Sequence, residues 1–345
     1  MYLLVGDATR GPISEISPED GIEFPSADSS PDRFPFLLKI FHFNDLHNHL
    51  VNITPGSSLP VFSRIAWKIR QIRKACQTDP QTAALLVTGG DDLIGSIFDE
   101  LLTEGVDSFS PHAAYRLYSA AGVDVGVIGN HDLDFGTRIL ATAIQRDAHF
   151  PLLSANLRDY SKAPGYYYPA AIMVTKGIRI GIVGLTTSAE TAHRQGSNFE
   201  IADPIEVMHN ILPALKPHCD VLILLTHLGF SLSTRTAITQ GAGDLELARS
   251  LPYGYVQLII GAHTHKAINE MGLSLNNIVN GIPIVQAGTM GQYLGEVDIT
   301  LRPRAVVSSS RLWLTSEIPS DEDFEQKHVQ PLVQEAQRLF KRPLG

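Results

Sequence analysis

The sequence predicts an α/β fold with much parallel sheet. Short apolar runs rich in β-branched residues alternate along the chain with amphipathic stretches at helical spacing, which is the pattern of α/β proteins. Of the 345 residues, 44% are hydrophobic and 18% are charged, a balance typical of a globular core and unlike that of a disordered chain. In folds of this class, ligands gather at the carboxyl ends of the parallel strands.

The chain begins with residues 1–34, which are rich in Pro, Ser, Asp and Glu and show no apolar periodicity. We expect them to form an extended or disordered arm. From residue 36 onward, runs of β-forming residues predict a series of strands. These strands are expected at 37–43, 84–88, 123–128, 178–185, 221–226, 256–260 and 282–286.

Amphipathic stretches lie between several of these strands and predict helices. The helices are expected at 62–76, 112–121, 137–148 and 204–215. Two later runs, 294–301 and 305–314, follow each other closely and predict an antiparallel pair. Apolar residues at helical spacing predict a last helix over 321–341, although Pro331 lies inside it.

Composition and charge exclude several classes of partner. The formal net charge is -9 and the 27 Lys and Arg residues are scattered, which argues against a nucleic-acid groove. The longest apolar runs are far shorter than the roughly 20 residues that a membrane helix needs. The first residues lack the basic region and long apolar segment of a signal peptide. The sequence therefore predicts a cytoplasmic protein if Met1 is the native start, and an exported one if a signal peptide has been removed.

Side chains that bind metals directly follow five of the predicted strands. One such residue after a strand is weak evidence, because polar turns are common there. Of the 13 histidines, however, five fall at strand exits, where the α/β fold binds ligands. The side chains in question are those of Asp45, His47, Asp91, Asn130, His131, His227, His263 and His265.

Carboxylate, imidazole and amide ligands without thiolate suit divalent ions such as Mn, Zn, Fe, Ni or Co. A carboxylate shared by two such ions can hold them about 3.5 to 4 Å apart. Two cations would also supply the positive charge that an acidic protein needs to bind an anionic substrate. The residues therefore predict a site for two metal ions and allow two-metal hydrolysis.

These residues lie in motifs whose identity and order resemble those of the calcineurin-like metallophosphoesterases, specifically the branch of 5'-nucleotidases and 2',3'-cyclic-nucleotide phosphodiesterases. Shorter matches, such as Ser154-Ala155-Asn156, extend the resemblance over roughly 36–315. The resemblance implies a four-layer sandwich with two mixed β-sheets flanked by helices. The main motifs are Asp45-x-His47, Gly90-Asp91-x-x-x-Gly95-Ser96, Gly129-Asn130-His131-Asp132-x-Asp134-Phe135-Gly136, Thr226-His227-Leu228-Gly229 and His263-Thr264-His265.

The resemblance also implies a role for each site residue. The residues expected to hold one metal are Asp45, His47, Asp91 and His265. Those expected to hold the other are Asp91, Asn130, His227 and His263. Asp91 would then bridge the two ions, and a hydroxide between them would attack the substrate. Asn130 and His131 would contact the substrate, and His131, oriented by Asp134, would assist the leaving group.

Other polar residues near these motifs receive structural interpretations. We expect them to hydrogen-bond to the ligands or to face solvent, and they are His42, His49, Asp92 and Asp132. The run of tyrosines at 166–168 is expected to divide between core and surface. Arg194 could contact a substrate phosphate, but its positive charge is the only feature that supports this interpretation.

The resemblance divides the chain into the arm at 1–34, a catalytic domain at 35–316 and a connector-like helix at 317–345. Members of the 5'-nucleotidase branch commonly continue into a second, C-terminal domain, and this sequence stops before it. Either that domain has been left off, or the protein acts as a single domain on another ester, or a separate chain or oligomeric neighbour completes the site.

The predicted function is that of a two-metal hydrolase that cleaves phosphate esters, with a nucleotide or a related small phosphate as substrate. Two alternatives stay open: a related two-metal hydrolase of sulfur esters, and a scaffold or binding module with little turnover. The scaffold alternative predicts lost ligands, whereas all the expected ligands and the His131–Asp134 pair are present.

Overall fold

The computed structural model describes residues 1–13, 17–19, 21, 23–24, 34–54, 57–102, 112–160, 165–188, 198–231, 242–302 and 304–341. Strands and helices alternate through most of this range. The helices are α1 Phe62–Gln77, α2 Ala113–Ala121, α3 Thr137–Asp147, α4 Pro204–Leu215, α5 Asp244–Ser250, α6 Glu322–Phe324 and α7 Gln330–Phe340. The strands are β1 Tyr2–Val5, β2 Ser17–Pro18, β3 Phe36–Phe43, β4 Val51–Thr54, β5 Ser57–Pro60, β6 Thr82–Thr88, β7 Val125–Val127, β8 Leu152–Leu153, β9 Leu157–Asp159, β10 Ala170–Thr175, β11 Ile178–Thr186, β12 Phe199–Ile201, β13 Val221–His227, β14 Leu258–Ile260, β15 Ala267–Ile268, β16 Ile278–Val279, β17 Ile282–Ala287, β18 Tyr293–Leu301 and β19 Ala305–Leu314.

Two mixed sheets form the centre of the molecule. The smaller has the order β19-β18-β3-β6-β7-β8. In it, the strands β3, β6, β7 and β8 are parallel, and β18 and β19 are antiparallel to their neighbours. The larger has the order β15-β17-β14-β13-β11-β10-β1-β2, and β16 also pairs with β17. Its parallel strands are β11, β13, β14 and β17. Each sheet is thus parallel in the middle and antiparallel at one or both margins.

Three apolar cores separate the layers of the fold. The first lies between the sheets and includes Leu38 of β3, Ile182 of β11 and Leu225 of β13. The second contains buried residues of α1, α2, α3 and α7 together with residues of the smaller sheet. The third contains residues of α4 and α5 together with those of the larger sheet. The predicted α/β fold, with two mixed sheets flanked by helices, is confirmed.

The parallel strands place their carboxyl ends close together. Strand β3 pairs with β6 up to the partners Phe43 and Thr88, and β13 ends at His227, paired with Thr186 of β11. All residues of β11 and β13 are buried, as expected for strands covered on both faces. The loops that leave these strand ends carry the predicted ligands.

The start of the chain differs from the expected arm. Strand β1 pairs antiparallel with β10 at the margin of the larger sheet, and Leu4 and Ala8 are buried in the core beneath α4. Asn210 of α4 donates a hydrogen bond to the carbonyl of Ala8 over 2.8 Å. Local periodicity could not show this pairing, because its partners lie about half the chain away.

The predicted last helix is present and contains an irregular turn. Between α6 and α7, residues Glu325–Val329 form a π-helical turn, and Pro331 lies in the first turn of α7. Proline has no N–H to donate, so the wider turn before it accommodates the missing hydrogen bond. Among the described residues, no helix has the length and apolar character required to cross a bilayer.

Candidate metal centre

Two groups of metal-binding side chains lie at the carboxyl ends of the parallel strands. Within each group, the possible ligand atoms are all within 4.8 Å of one another. The first group comprises Asp45, His47 and His265, and the second comprises Asp91, His227 and His263. Each combines a carboxylate with two imidazoles, a donor set suited to divalent transition metals. The structure thus brings together six side chains that the sequence predicts as ligands.

Asp45 approaches histidines of both groups. Its Oδ1 lies 3.5 Å from Nε2 of His265 in its own group and 3.8 Å from Nε2 of His227 in the other. Oδ2 of Asp91 lies 3.0 Å from Nε2 of His227. The bridging role of Asp91 stays a prediction, whereas Asp45 is the carboxylate whose described contacts join the two groups.

Backbone carbonyls orient two of the imidazoles. Nδ1 of His227 lies 2.7 Å from the carbonyl oxygen of Gly89, and Nδ1 of His47 lies 3.1 Å from that of Ile94. Because a carbonyl can only accept, Nδ1 carries a proton in both rings, and Nε2 is the nitrogen that would bind a metal. This is the arrangement by which proteins orient histidine ligands toward a metal.

The backbone of the candidate ligands adopts the left-handed conformation at several positions. The φ angles are 50° at Asp45, 47° at His47, 54° at Asp91, 73° at His263 and 55° at His265. Few residues other than glycine adopt this region, and each costs on the order of 1 to 3 kcal/mol. Hydrogen bonds between the loops after β3 and β6 hold the conformation, including those from Asp45 N to Gly90 O at 2.9 Å and from His47 N to Asp91 O at 3.0 Å. Concentrated strain of this kind is typical of functional sites.

One buried polar atom in particular fits a metal ion. Oδ1 of Asn130 is buried and makes no hydrogen bond within the described residues. Leaving a buried polar atom unpaired costs roughly 1 to 3 kcal/mol, and a cation bound to it removes that cost. Asn130 directly precedes His131, whose N–H donates to Oδ1 of Asp91 over 2.8 Å. The residues present therefore fit a pair of divalent ions.

His131 and Asp134 form a second element of the site. Nδ1 of His131 lies 2.7 Å from Oδ2 of Asp134, and the His131 side chain is 34% exposed. Its ring centre is 5.3 Å from that of His47. The carboxylate accepts the Nδ1 proton and thereby fixes the tautomer and orientation of the ring. The predicted pair is thus formed, beside the first metal-binding group.

Burial and nearby carboxylates act on the histidines in opposite directions. Burial lowers the pKa of His263 to about 4. Burial alone would also lower the pKa of His227, but the charges of Asp91 and Asp45 outweigh it and raise the value to about 10. Conversely, the Asp91 pKa is lowered because His227 and its neighbours outweigh the effect of burial. Without metal, His227 and Asp91 form a buried ion pair.

Asp132 supports the site more directly than the sequence indicates. It is 1% exposed, and its Oδ2 accepts hydrogen bonds from the N–H groups of Gly129 and Asp91 at 2.8 and 3.1 Å. Its Oδ1 accepts from the N–H of Asp92 at 3.0 Å. One carboxylate therefore joins the loop after β6 to the loop after β7.

Sequence reasoning missed two further residues of the site. Asn44 donates to Oδ2 of Asp45 over 2.6 Å and accepts from Ala287 N over 2.8 Å. Asp244, at the start of α5, is buried and accepts from Thr226 Oγ1 over 2.6 Å, and Thr226 directly precedes the candidate ligand His227. Asn44 follows β3 directly, so its position could have indicated it. For Asp244, the only local signal is an acidic residue at a helix start.

The remaining polar residues have structural contacts. His49 donates from Nδ1 to the carbonyl of His47 over 2.9 Å. His42 differs from the expectation, because it is completely buried and neither ring nitrogen makes a hydrogen bond within the described residues. The hydroxyls of the three tyrosines donate to Asp159, Leu157 O and Glu19 respectively, which fits their structural interpretation. Arg194 lies outside the described residues.

Comparison with known proteins agrees with this geometry. The chain is 27% identical over 286 residues to a 5'-nucleotidase of Vibrio cholerae, an alignment that covers 77% of this chain and 49% of that protein. The structure matches the calcineurin-like phosphoesterase YfkN of Bacillus subtilis with a TM-score of 0.71, at 21% identity, covering 89% of this chain and all of that one. It also matches the sulfate thiohydrolase SoxB of Thermus thermophilus with a TM-score of 0.66, at 16% identity, covering 87% and 61%.

The chain spans about half the length of the curated nucleotidase that it matches. The likenesses to solved structures establish the fold. The sequence profile of the calcineurin-like phosphoesterases matches residues 38–267, a range that contains every predicted ligand and the His131–Asp134 pair. By this match and by its two groups of strand-end ligands, the chain belongs to the calcineurin-like phosphoesterase family.

Proposed function

We propose that this protein hydrolyses phosphate esters, with nucleotides or related small phosphates as substrates, at a site that holds two divalent metal ions. The observation that carries the proposal is the juxtaposition of two carboxylate–imidazole groups, in contact through Asp45, with the His131–Asp134 pair beside them. Residues 35–316 would form the catalytic unit.

The family supports the metal requirement. Calcineurin-like phosphoesterases use a dinuclear divalent metal site, and this chain has two ligand groups. We infer that Asp45, His47, Asp91 and His265 bind one ion and that Asp91, Asn130, His227 and His263 bind the other. The donor set suits Mn, Zn, Fe, Ni or Co. A nucleotide substrate is consistent with the 5'-nucleotidase of Vibrio cholerae.

The side chains near the metal ions would have separate roles in the hydrolysis. Two divalent cations, when bound by these residues, would supply positive charge for the phosphoryl group and a bound water molecule of lowered pKa. Asn130 and His131 contact the phosphoryl oxygens. His131, with its Nδ1 proton held by Asp134 at 2.7 Å, transfers a proton from Nε2 to the departing ester oxygen. The exposed position of His131 leaves room for the ester.

No specific observation favours either alternative function. The likeness to the sulfate thiohydrolase shows a shared fold and does not select a sulfur ester. A scaffold would have no use for strained ligand conformations at five positions or for an oriented histidine, since both cost stability without turnover.

The proposal is tested by turnover. The chain is stripped of metal with a chelator, re-supplied in turn with Mn, Zn, Ni, Co and Mg, and assayed with p-nitrophenyl phosphate and bis(p-nitrophenyl) phosphate. Metal-dependent release of nitrophenol is expected. His131→Ala should lower kcat by roughly 100-fold or more while leaving metal content unchanged, because general acid catalysis contributes about 10²- to 10⁴-fold.

A matched control is His149→Ala, which removes an exposed histidine outside the candidate site. It should retain full activity. Absence of turnover with every metal, in a chain that binds two ions per molecule, would contradict the proposal and leave the sulfur-ester hydrolase and the binding module as the alternatives.

A further inference from the structure

One polar side chain lies inside the larger sheet, where packing alone would favour an apolar one. Gln286 is the next-to-last residue of β17 and is completely buried. Its neighbours Ile284, Val285 and Ala287 are apolar and buried. Nε2 of Gln286 has no hydrogen-bond partner among the described residues, and an unpaired buried polar group costs roughly 1 to 3 kcal/mol. An apolar side chain would avoid this cost, so the contacts of the amide oxygen indicate what the residue does.

The amide oxygen of Gln286 holds the residues on both sides of His265. Oε1 accepts from Oγ1 of Thr264 over 3.1 Å and from the backbone N–H of Lys266 over 2.9 Å. Because a backbone N–H can only donate, the oxygen of the amide, and not its nitrogen, faces this loop. The carbonyl of Lys266 also accepts from the N–H of Gly288 over 2.9 Å. The end of β17 thus fixes the backbone on either side of one candidate ligand.

The ring of His265 depends on this backbone for its direction. Its φ angle is 55°, and its side chain is 41% exposed. Backbone carbonyls orient the rings of His47 and His227 through Nδ1. Within the described part of the chain, the polar contacts of the His265 ring are instead those of Nε2, at 3.1 Å from Nε2 of His47 and 3.5 Å from Oδ1 of Asp45. Its position therefore follows from the contacts of the loop that carries it.

The second metal-binding group has other supports. Thr264 directly follows His263, but the N–H of His263 donates to Oδ2 of Asp45 over 3.0 Å. His227 is oriented by a carbonyl of the loop after β6. Loss of the Gln286 contacts would therefore act mainly on the first group.

We propose that Gln286 is a positioning residue of the metal centre, which holds His265, through Thr264 and Lys266, in the conformation that binds one of the two ions. This role rests on the two-metal site of the proposed function. Gln286 itself supplies no ligand atom. Removing its oxygen should weaken the binding of one ion and spare the other.

The test is Gln286→Met, which keeps the length of the side chain and removes the amide oxygen. The metal-stripped chain is titrated with Mn²⁺ in a calorimeter, and the parent should show two binding events. In the variant, the affinity for one ion should fall by about 10- to 100-fold, as when a residue that orients a ligand is removed, and the affinity for the other should change by less than about threefold. Gln286→Glu keeps an oxygen acceptor and should restore the lost affinity.

Gln257→Met is the matched control. Oε1 of Gln257 also accepts from a backbone N–H, that of Leu222, over 2.8 Å, but Gln257 directly precedes β14, at the end of the strand far from His263. This variant should bind both ions with the affinities of the parent. If Gln286→Met does not fold, Thr264→Val takes its place, because it removes one of the two contacts of Gln286 and should weaken the same ion to a smaller extent.

A double variant separates positioning from general destabilisation. In a His265→Ala background, the side chain through which Gln286 acts is absent, so adding Gln286→Met should cause no further loss of Mn²⁺ affinity. Additive losses, equal weakening of both ions, unchanged affinities in Gln286→Met, or a parent chain that binds fewer than two ions would refute the positioning role.

Metal affinity is measured without substrate, so its result does not depend on hydrolysis. If no phosphate ester is turned over but Gln286→Met selectively weakens one ion, the proposed function fails and the positioning role stands. If esters are hydrolysed and Gln286→Met binds both ions as the parent does, the proposed function stands and the positioning role fails.

Discussion

Replacing Asp132 with alanine tests whether one carboxylate holds the site loops together. The substitution leaves three N–H groups, those of Asp91, Asp92 and Gly129, without their acceptor. At about 2 kcal/mol for each unpaired buried group, the loss is roughly 6 kcal/mol. Burial and the Asp91 charge raise the pKa of Asp132 to about 6, so removing this charge at pH 7 offsets part of that loss. The expected net destabilisation is therefore a few kcal/mol, below the roughly 6 kcal/mol of the three unpaired groups.

The assay is urea unfolding together with metal analysis of the folded variant. Because Asp91 N loses its partner, metal affinity should fall by about 10- to 100-fold, as it does when residues that orient ligands are removed. Asp147→Ala is the matched control. Asp147 is also buried and accepts from a backbone N–H, that of His112, at 2.8 Å, but it lies at the end of α3. It should destabilise the fold and leave metal affinity intact. Equal metal affinity in both variants would refute the reasoning.

Three further predictions follow from other contacts. Gly295→Ala should destabilise the protein by about 1 to 3 kcal/mol or more, because a Cβ there would overlap the buried imidazole of His42; an unchanged midpoint of urea unfolding would contradict this packing. Asp244→Asn should become more stable than the parent as pH rises, since burial raises the pKa of Asp244 to about 7 from 3.8. In the parent, the stabilising contribution of protonated Asp244 is fully present below the unfolded pKa and is lost as the pH rises through 7. The free energy of unfolding of Asp244→Asn relative to the parent, measured with urea, should therefore rise by roughly 4 kcal/mol between pH 4 and 8. Metal binding should release a proton from His227, whose pKa is about 10 in the metal-free chain, so affinity should rise with pH. Calorimetry in two buffers of different ionisation enthalpy measures the proton, and affinity independent of pH from 6 to 8 would contradict the assignment.

The sequence predicted those parts of the site that depend on local order along the chain. Asp45, Asp91 and His227 are at or directly after the ends of strands whose apolar runs are continuous, and parallel pairing brings such ends together. The motifs that resemble the family predicted which of these side chains are ligands, and the structure brings six of them together. By contrast, the strand β1 and the hairpin β4–β5 were not predicted. Both are short, and their positions depend on partners distant in sequence or on packing against neighbouring loops.

The individual atomic contacts within the site could not be predicted from the sequence motifs either. The approach of Asp45 to histidines of both groups follows from loop conformations that non-glycine residues seldom adopt. Residue propensities do not predict such conformations, because hydrogen bonds formed only in the folded protein offset their energetic cost. The role of Asp132 is similar, since its three acceptor contacts join loops whose separation only the folded sheet defines.

A proton and a metal ion can perform the same electrostatic task in this site. Asp45 and Asp91 are both buried, and two carboxylates in such surroundings need compensating charge. In the metal-free chain, the proton on His227 supplies part of that charge, which is why the pKa of His227 is raised although burial opposes it. In the proposed site, a divalent ion bound to Nε2 would replace this proton. Because Gly89 O and Ile94 O orient the candidate ligands His227 and His47 without a metal, we expect metal binding to exchange one counterion for another at a site that is already arranged.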